Sequence, residues 1–338
     1  MSLNSNLHKA KAVKNDEFYT QISDIENELK NYEKYFKGKH IFCNCDDPEF
    51  SNFWRYFALN FKRLDIKRLT STHYSDDNGK SYRMDMFKEV PKEYLKRQTF
   101  ITLEESGIEL PLGYITQLEG NGDFRSDESI TILEESDIVV TNPPFSLFGD
   151  YVTQLMEYNK KFIILGSQNA LTTNQIFPLL KDNKLWAGVY AGNMKFRVPN
   201  RDEYKRAGAR FWIDDKGDYW RSLGNICWFT NLDHYKRHEN IILYKKYNDD
   251  EYPVFDNYNA INVDKISDIP EDYTGVMGVP VTYLYKHNPS QFDIVGQTHS
   301  GDKSLEVESL RTSPSNRHRG MINGVQKYAR VLIRRKQP

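Results

Sequence analysis

The segment with the clearest chemical character is Asn142-Pro143-Pro144-Phe145, which directly follows an apolar run. Neither proline has an N–H group to donate to a strand ladder, so a buried strand over residues 137–141 must end here. Pro143 also holds Asn142 extended, and the two rings leave the following turn little freedom. Because ligands bind at the carboxyl ends of strands in open α/β sheets, we expect this loop at a binding site.

The loop offers hydrogen-bond acceptors beside an aromatic ring. The acceptors are the side-chain oxygen of Asn142 and the carbonyl of Pro143, and the ring belongs to Phe145. The exocyclic amino group of a nucleobase has two N–H donors and lies on a flat ring, which matches this set. Accepting both N–H bonds would free the nitrogen lone pair for attack, provided that a base in a duplex is flipped out. An ordinary Pro-Pro loop is the alternative interpretation.

Alternating strands and helices must position this loop. Apolar spacing predicts a helix over 22–36, and Ser51 is expected to cap a second helix with an aromatic face. Further helices are predicted over 150–158 and 173–180, and strands over 40–43, 66–72, 137–141 and 162–165. This order predicts an α/β fold whose parallel sheet carries helices on both faces.

The carboxyl-terminal third differs from the rest of the chain in its amino-acid composition. From about residue 240, Tyr, Asn, Asp, Pro and Gly separate short β-rich pieces such as 279–284 and 328–333. We therefore predict a catalytic domain over 1–238, with an amino-terminal arm over 1–20, and a smaller β-rich domain over 239–338. A turn is expected at 76–79 and hairpin-like pieces near Tyr82 and Phe100, while 130–135 is ambiguous.

Composition narrows the class of protein. The 338 residues are 39% hydrophobic, enough for two domains, and the net charge of −1 means that any nucleic-acid binding depends on local basic patches. The three cysteines form no Cys-x-x-Cys pair, so no metal site or disulfide scaffold is expected. With no signal peptide and no apolar run near 18 residues, a cytoplasmic protein is expected.

Asn142-Pro143-Pro144-Phe145 after a strand resembles the catalytic motif of S-adenosylmethionine-dependent amino methyltransferases, especially those that make N6-methyladenine in DNA. The segments 14–20, 41–48 and 51–53 are similar to the EcoRI-type adenine methylases, as are 322–324 and 328–333. This resemblance covers most of the chain. It implies a Rossmann-like methyltransferase sheet, S-adenosylmethionine as cofactor, double-stranded DNA as substrate and the four loop residues as the catalytic set.

The resemblance also implies cofactor-binding positions. The hydroxyl of Thr20 would bind the methionine carboxylate of S-adenosylmethionine. Asp46 and Asp47 would bind its ammonium group, and Asp123 would accept a hydrogen bond from its adenine amino group. A helix cap at Thr20, a solvated Asp-Asp-Pro turn and a Gly-Asp turn are the alternatives. Cys45 to Pro48 replaces the usual glycine-rich turn, and Asp76 or Asp77 is a weak candidate for the ribose. The full predicted cofactor set is Phe18, Tyr19, Thr20, Cys45, Asp46, Asp47, Asp123 and Phe124.

Two basic clusters are candidates for DNA binding. Residues 311–338 contain eight Lys and Arg and no Asp or Glu, and residues 194–210 contain six basic residues against two acidic ones. A solubilising tail and a solvated helix are the alternative interpretations. The predicted DNA-binding residues are Arg197, Arg311, Arg317 and Arg319.

The predicted function is therefore site-specific methylation of adenine N6 in DNA. The methyltransferase would either be paired with a cognate restriction endonuclease that acts on the same site, or be an orphan enzyme, for example a phage-borne one. The alternatives are an amino methyltransferase acting on RNA, on cytosine N4 or on a protein amide, and a non-catalytic DNA-binding protein with a methyltransferase fold. Cytosine C5 chemistry is disfavoured, because none of the three cysteines follows a proline.

Overall fold

The computed structural model describes residues 19–75, 81–95, 113–198, 210–299, 304–312 and 319–336. The chain divides into two compact units. The first comprises Met1–Gln168 and Tyr190–Leu232, and the second comprises Asn169–Val189 and Asp233–Pro338.

One large mixed sheet dominates the first unit. Its strands are β1 (Tyr19–Thr20), β2 (His40–Cys43), β3 (Arg68–His73), β4 (Tyr82–Phe87), β5 (Tyr114–Gln117), β6 (Ile138–Thr141), β7 (Lys161–Ser167), β8 (Trp186–Val198), β9 (Phe211–Ile213) and β10 (Tyr219–Thr230). The strand order is β1-β8-β10-β7-β6-β2-β3-β4-β5, and β9 pairs with β10. The expected mixture of helices and a multi-stranded sheet is confirmed.

The central strands β3, β2, β6 and β7 are mutually parallel. All four residues of β2 and of β6 are buried, which explains why their sequences are continuous apolar runs rather than alternating ones. On either side the neighbours β4 and β10 run antiparallel. The carboxyl ends of β2, β3 and β6 therefore lie along one edge of the sheet, where the loop beginning at Asn142 starts.

Helices follow most of these strands. Ser51 caps the helix after β2 by accepting a hydrogen bond from the Phe53 amide at 3.1 Å, as predicted. Ser126 caps the helix before β6, whose first turn carries Asp127 and Glu128, favourably placed for the helix dipole. The helices are α1 (Ile22–Leu29), α2 (Glu33–Phe36), α3 (Asn52–Asn60), α4 (Asp127–Glu135), α5 (Phe148–Glu157), α6 (Phe177–Lys181) and α7 (Leu305–Leu310).

The helix predicted over 22–36 is wrong as a single element, because it breaks between α1 and α2. Tyr32 leaves the helical region at φ −123° and ψ 6°, and its buried hydroxyl donates to Glu28 at 2.7 Å. The Asn31 side chain donates to the carbonyls of Asn27 and Glu28, so side chains satisfy the helix end. The helix predicted over 173–180 begins only at Phe177, since Pro178 suits a first helical turn and no later position.

The second unit contains a four-stranded sheet in the order β11-β12-β16-β13 and a separate two-stranded hairpin, β14-β15. The strands are β11 (Ile261–Asn262), β12 (Met277–Pro280), β13 (Phe292–Gln297), β14 (Met321–Ile322), β15 (Val325–Gln326) and β16 (Arg330–Arg335). The β piece predicted over 279–284 is wrong in its second half, which forms a 3-10 helix, Val281–Tyr285, directly after Pro280. Proline at 280 has no N–H with which to continue the ladder.

A buried carboxylate links β2, β3 and β4 at the opposite edge from the Asn142 loop. Asp85 is fully buried and accepts hydrogen bonds from Arg68 at 3.0 Å and from the Thr70 hydroxyl at 2.6 Å. The same Thr70 hydroxyl lies 2.8 Å from the His40 ring. Arg68 also pairs with the exposed Glu135 at 2.8 Å.

We expect Asp85→Ala to lower the free energy of unfolding by about 3–5 kcal/mol, because it leaves the half-buried Arg68 without its buried counter-charge. Glu135→Ala is the matched control and should cost under about 1 kcal/mol, since its carboxylate is half exposed to solvent. Urea unfolding of the three proteins measures both values. Equal losses for the two variants would contradict this account of the network.

Candidate active site

The carboxylate of Asp46 ties the loop after β2 to the start of the Asn142 loop. The Thr141 hydroxyl donates to Oδ2 of Asp46, and the backbone N–H of Asn142 donates to the same oxygen at 3.4 Å. The Ser51 hydroxyl donates to Oδ1 at 2.9 Å, which adds the amino end of α3 to the same junction. The two predicted sites, Asp46 and Asn142, are therefore in direct contact.

The environment of Asp46 is short of positive charge. Burial raises the pKa of its carboxyl to about 7, and the neighbouring charge of Asp47 adds to this, while the hydrogen bonds from Thr141, Ser51 and Asn142 oppose it. No cation pairs with Asp46 among the described residues. A carboxyl of this kind is a suitable partner for a cationic ligand, whose charge would favour the ionised form.

Asp47 lies in a different setting. Its carboxylate is 2.8 Å from the Nδ1 atom of His73 and accepts a hydrogen bond from the Tyr82 hydroxyl at 3.0 Å. Although burial opposes the shift, hydrogen bonds from His73, the Glu49 amide and Tyr82 hold the pKa of Asp47 below its usual value. Sequence reasoning missed His73 and Tyr82, because β3 and β4 bring them to Asp47 from distant parts of the chain.

Cys45 occupies the left-handed region, with φ 64°. This conformation favours glycine, so the residue replaces the usual glycine in conformation as well as in position. Burial and the charges of Asp46 and Asp123 raise the pKa of its thiol well above the ordinary value. Cys45 therefore stands between two of the predicted cofactor-binding acids.

Thr20 lies in the edge strand β1, paired with Phe196 of β8. The Asn52 side chain donates to its carbonyl at 2.7 Å, which holds Thr20 next to Ser51 and hence to Asp46. The Thr20 hydroxyl is buried and has no hydrogen-bond partner among the described residues. Helix α1 is preceded by Gln21 at its N-cap, so the alternative role of Thr20 as a helix cap is wrong.

Two further predicted residues sit in the loop before α4. Asp123 forms an ion pair with Arg125 at 2.7 Å, and although burial opposes the shift, hydrogen bonds from Arg125 keep its pKa low. Phe124 is buried and packs edge-on against Tyr151 at 5.0 Å. Gly122 allows this loop to approach the end of β3, since a Cβ there would lie 2.4 Å from the His73 carbonyl.

The loop over residues 142–145, predicted to be catalytic, is compact. Pro143 is buried, and Phe145 begins a 3-10 helix, Phe145–Leu147, that leads directly into α5. Phe145 and Asn142 are both partly exposed at the sheet edge. An aromatic ring and an amide are thus presented together by a rigid turn.

Over the described ranges, no group of three or more His, Cys, Asp or Glu is arranged to hold a metal ion. Within the same part of the chain, no helix is long and apolar enough to cross a membrane.

Comparison with known proteins identifies the family. The family model described as "Adenine-specific methyltransferase EcoRI" matches residues 6–336. The chain is 43% identical to the Type II methyltransferase M.EcoRI of Escherichia coli, over 99% of this chain and 97% of that protein. It is 37% identical to M.MgeORF184P of Mycoplasma genitalium and 36% identical to M.MpnI of Mycoplasma pneumoniae, in each case over 98% of both chains. No solved structure gives a significant match.

The chain belongs to the EcoRI family of adenine-specific methyltransferases. The predicted family, enzyme class and function, a site-specific adenine DNA methyltransferase, are confirmed by this membership. A methyltransferase of this family needs a methyl donor and a DNA substrate.

The predicted DNA-binding arginines of this methyltransferase lie in both units. Arg197 on β8 is exposed and pairs with Asp218 at 2.6 Å, whereas the Arg311 side chain is 16% exposed and pairs with Glu308 at 3.2 Å. Arg319 is exposed directly before β14. Arg317, Phe18, Asp76, Asp77 and Phe100 lie outside the described residues.

The Asp46 carboxyl gives a pH-dependent prediction. Its pKa is raised from 3.8 to about 7 on folding, so its contribution to stability is fully present below pH 4 and is lost as the pH rises through 7. Asp46→Asn keeps the size of the side chain without this ionisation, and its oxygen can still accept from Thr141 and the Asn142 amide, while its NH2 group faces Ser51 in place of an acceptor. Relative to the variant, the unmodified enzyme should lose on the order of 2–4 kcal/mol between pH 4 and pH 8. Thermal unfolding of both proteins across this pH range measures the difference in stability. The same pH dependence in both proteins would rule out the ionisation of Asp46 as its cause.

Proposed function

We propose that this enzyme transfers a methyl group from S-adenosylmethionine to N6 of an adenine flipped out of double-stranded DNA. The observation that carries the proposal is the direct contact between Asp46, at the end of β2, and the backbone N–H of Asn142, at the end of β6. This contact places a cation-seeking carboxyl beside a rigid amide-and-aromatic loop. The arrangement fits a cationic methyl donor and an amino acceptor bound side by side.

The residues around Asp46 fit S-adenosylmethionine. The buried Thr20 hydroxyl can donate to the methionine carboxylate, and Asp46 can accept from the ammonium. The proposed cofactor site also includes Tyr19, Cys45, Asp47, Asp123 and Phe124, together with Phe18, which lies outside the described residues. Asp47 is already hydrogen-bonded to His73 and Tyr82, which favours Asp46 as the ammonium partner. When bound, S-adenosylmethionine supplies an electrophilic methyl group to which the adenine nitrogen forms its new bond.

The loop residues then act on the acceptor base. The side-chain oxygen of Asn142 and the carbonyl of Pro143 would accept the two amino N–H bonds, and the ring of Phe145 would stack on the base. Pro144 fixes the turn between them. Positioning and electrostatics account for catalysis by these groups, and no covalent enzyme intermediate is required. The displaced proton passes to water or to a neighbouring group.

The architecture supports the remaining parts of the proposal. A parallel core of β3, β2, β6 and β7 with the site at its carboxyl edge is the arrangement of a Rossmann-like methyltransferase sheet. We assign catalysis to residues 1–238 and DNA recognition to the smaller β-rich domain, 239–338. A cognate restriction endonuclease acting on the same site is part of the proposal, supported by the Type II names of the relatives.

We expect Asn142→Ala to reduce the methylation rate by at least about 100-fold, because the amino group of adenine loses an acceptor in the transition state. Binding of S-adenosylmethionine should stay near normal, since Asp46 contacts only the backbone N–H of Asn142. Transfer of labelled methyl to unmethylated DNA, followed by nucleoside analysis, measures the rate, and calorimetry measures cofactor binding.

The matched control for this experiment is Asn27→Ala, which alters an exposed asparagine on α1. It should retain full activity. Near-normal turnover in Asn142→Ala would remove this residue from the catalytic set. Methyl transfer to RNA or protein in place of DNA would overturn the proposed substrate.

DNA binding should weaken steeply with salt, because contacts to phosphates release counterions. Arg319→Ala should reduce the slope of log Kd against log salt by about 0.9, the value for one lost phosphate contact. Lys67→Ala is the control, because Lys67 is exposed at the amino end of β3, the edge opposite Asn142. Titrations at several ionic strengths measure the slopes. A flat response in the unmodified enzyme would count against phosphate contacts altogether.

A further inference from the structure

One strand of the large sheet belongs both to the buried core and to an exposed arm. The second part of β10 pairs with β7 from Thr230, opposite Ile163, to Ile226, opposite Ser167, and is buried. Beyond Ile226, the first part of β10 has no partner in β7. On that side it pairs instead with the short strand β9, while β8 is the neighbour of β10 on its other side. Strands β9 and β10 form a hairpin, residues 210–224, which we call the arm.

The arm projects past the edge of the sheet that carries the catalytic loop. Strands β6 and β7 run parallel, with Thr141 beside Ile164, so both end at this edge. Because β10 runs antiparallel to β7, its first half continues beyond that same edge. Trp220 stands six residues before Ile226, which places it roughly 20 Å further out along the strand.

One face of the arm is aromatic. Trp212 and Trp220 form a cross-strand pair with ring centroids 6.2 Å apart and planes only 9° apart. Both indoles are partly exposed, whereas Trp54 and Trp228 of the same unit are buried. Cross-strand stacking stabilises the hairpin, and the partial exposure of both indoles leaves some ring surface in contact with solvent.

The same face is also basic. Strand β8 alternates between buried residues and exposed ones, and the exposed Lys195 lies 6.0 Å from the Trp212 ring. Arg210 is exposed and donates to the Asn193 side chain at 2.9 Å. Gly224 makes room for this contact, since a Cβ there would lie 2.5 Å from the Arg210 guanidinium. Cations and flat rings thus form one surface.

Two of the three acidic residues at the tip of the arm have partners in the structure, and the third, Asp215, is exposed. Asp214 accepts hydrogen bonds from the Trp220 indole at 2.8 Å and from the Asp218 amide at 2.9 Å. Asp218 pairs with Arg197 at 2.6 Å. Over the described ranges, no carboxylate lies within ion-pair distance of Lys195 or Arg210. Lys195 and Arg210 are therefore two cations of this face that form no ion pair with a described residue, although Asp24 is close enough to Lys195 to interact with its charge.

We propose that this face of the arm binds the DNA duplex beside the target adenine, with the Trp212–Trp220 pair stacked on an exposed base and Lys195 and Arg210 on phosphates. The inference rests on the proposed function, because flipping an adenine leaves neighbouring base faces exposed for stacking. The fit comes from position, charge and aromatic surface together. A second copy of this chain or a protein partner would not require this combination of cations and open rings.

Tryptophan fluorescence tests the aromatic part of the proposal. DNA should quench the fluorescence of the unmodified enzyme, and Trp212→Phe with Trp220→Phe should abolish most of that quenching. Phenylalanine keeps an aromatic cross-strand pair, so the hairpin is preserved in the double variant. Replacing both tryptophans by alanine should lower the affinity for DNA by about 5- to 150-fold. The loss of affinity in the phenylalanine variant should be smaller. The same fractional quenching in the double variant would overturn the stacking contact.

Salt titrations test the basic part. Lys195→Ala and Arg210→Ala should each lower the slope of log Kd against log salt by about 0.9, while Lys67→Ala leaves it unchanged. Slopes identical to that of the unmodified enzyme in both variants would overturn the phosphate contacts. Methyl transfer by the unmodified enzyme is measured on the same DNA. Absence of methyl transfer would contradict the proposed function itself. Normal methyl transfer, together with DNA binding by the arm variants equal to that of the unmodified enzyme, would contradict only the role of the arm.

Discussion

The active-site edge depends on one buried carboxylate. Asp46 receives hydrogen bonds from the Ser51 hydroxyl at the start of α3, from Thr141 at the end of β6 and from the backbone of Asn142. Three segments that are separate in the sequence are thereby fixed to one side chain. The carboxyl accepts these hydrogen bonds but has no positive partner among the described residues, so burial raises its pKa to about 7. Binding of a cation here would relieve the cost of that burial and strengthen the junction.

Local features of the fold were readable from the sequence. The Asn142-Pro143-Pro144 sequence predicted the end of β6, and apolar runs predicted the buried parallel strands. Ser51 predicted the start of the helix that it caps. The break at Tyr32 was not readable, because it depends on a buried hydroxyl bond to Glu28 that apolar periodicity does not show. Prolines decided two further boundaries, at Phe177 and after Pro280, where periodicity alone suggested longer elements.

The candidate site was only partly predictable, for a related reason. Asn142 was singled out by its local pattern and Asp46 by the family resemblance, but they lie 96 positions apart and nothing local indicates that they touch. His73 and Tyr82 reach Asp47 through strand pairing, which sequence spacing does not reveal. The arm was hidden in the same way. Its tryptophans look like core residues in the sequence, and only the length of β10 beyond β7 shows that they stand outside it.

The dual nature of β10 has a mechanical consequence. Five of its residues pair with β7, and the remainder extends past β7 with β9 on one side and β8 as its neighbour on the other. A load applied at the tip is carried by the strand into β7, which lies directly beside β6 and its terminal Thr141. If DNA binds the arm as proposed, a force on the arm would pass through hydrogen-bonded strands to β7 and on to β6, where the Asn142 loop begins, and β8 would share the load.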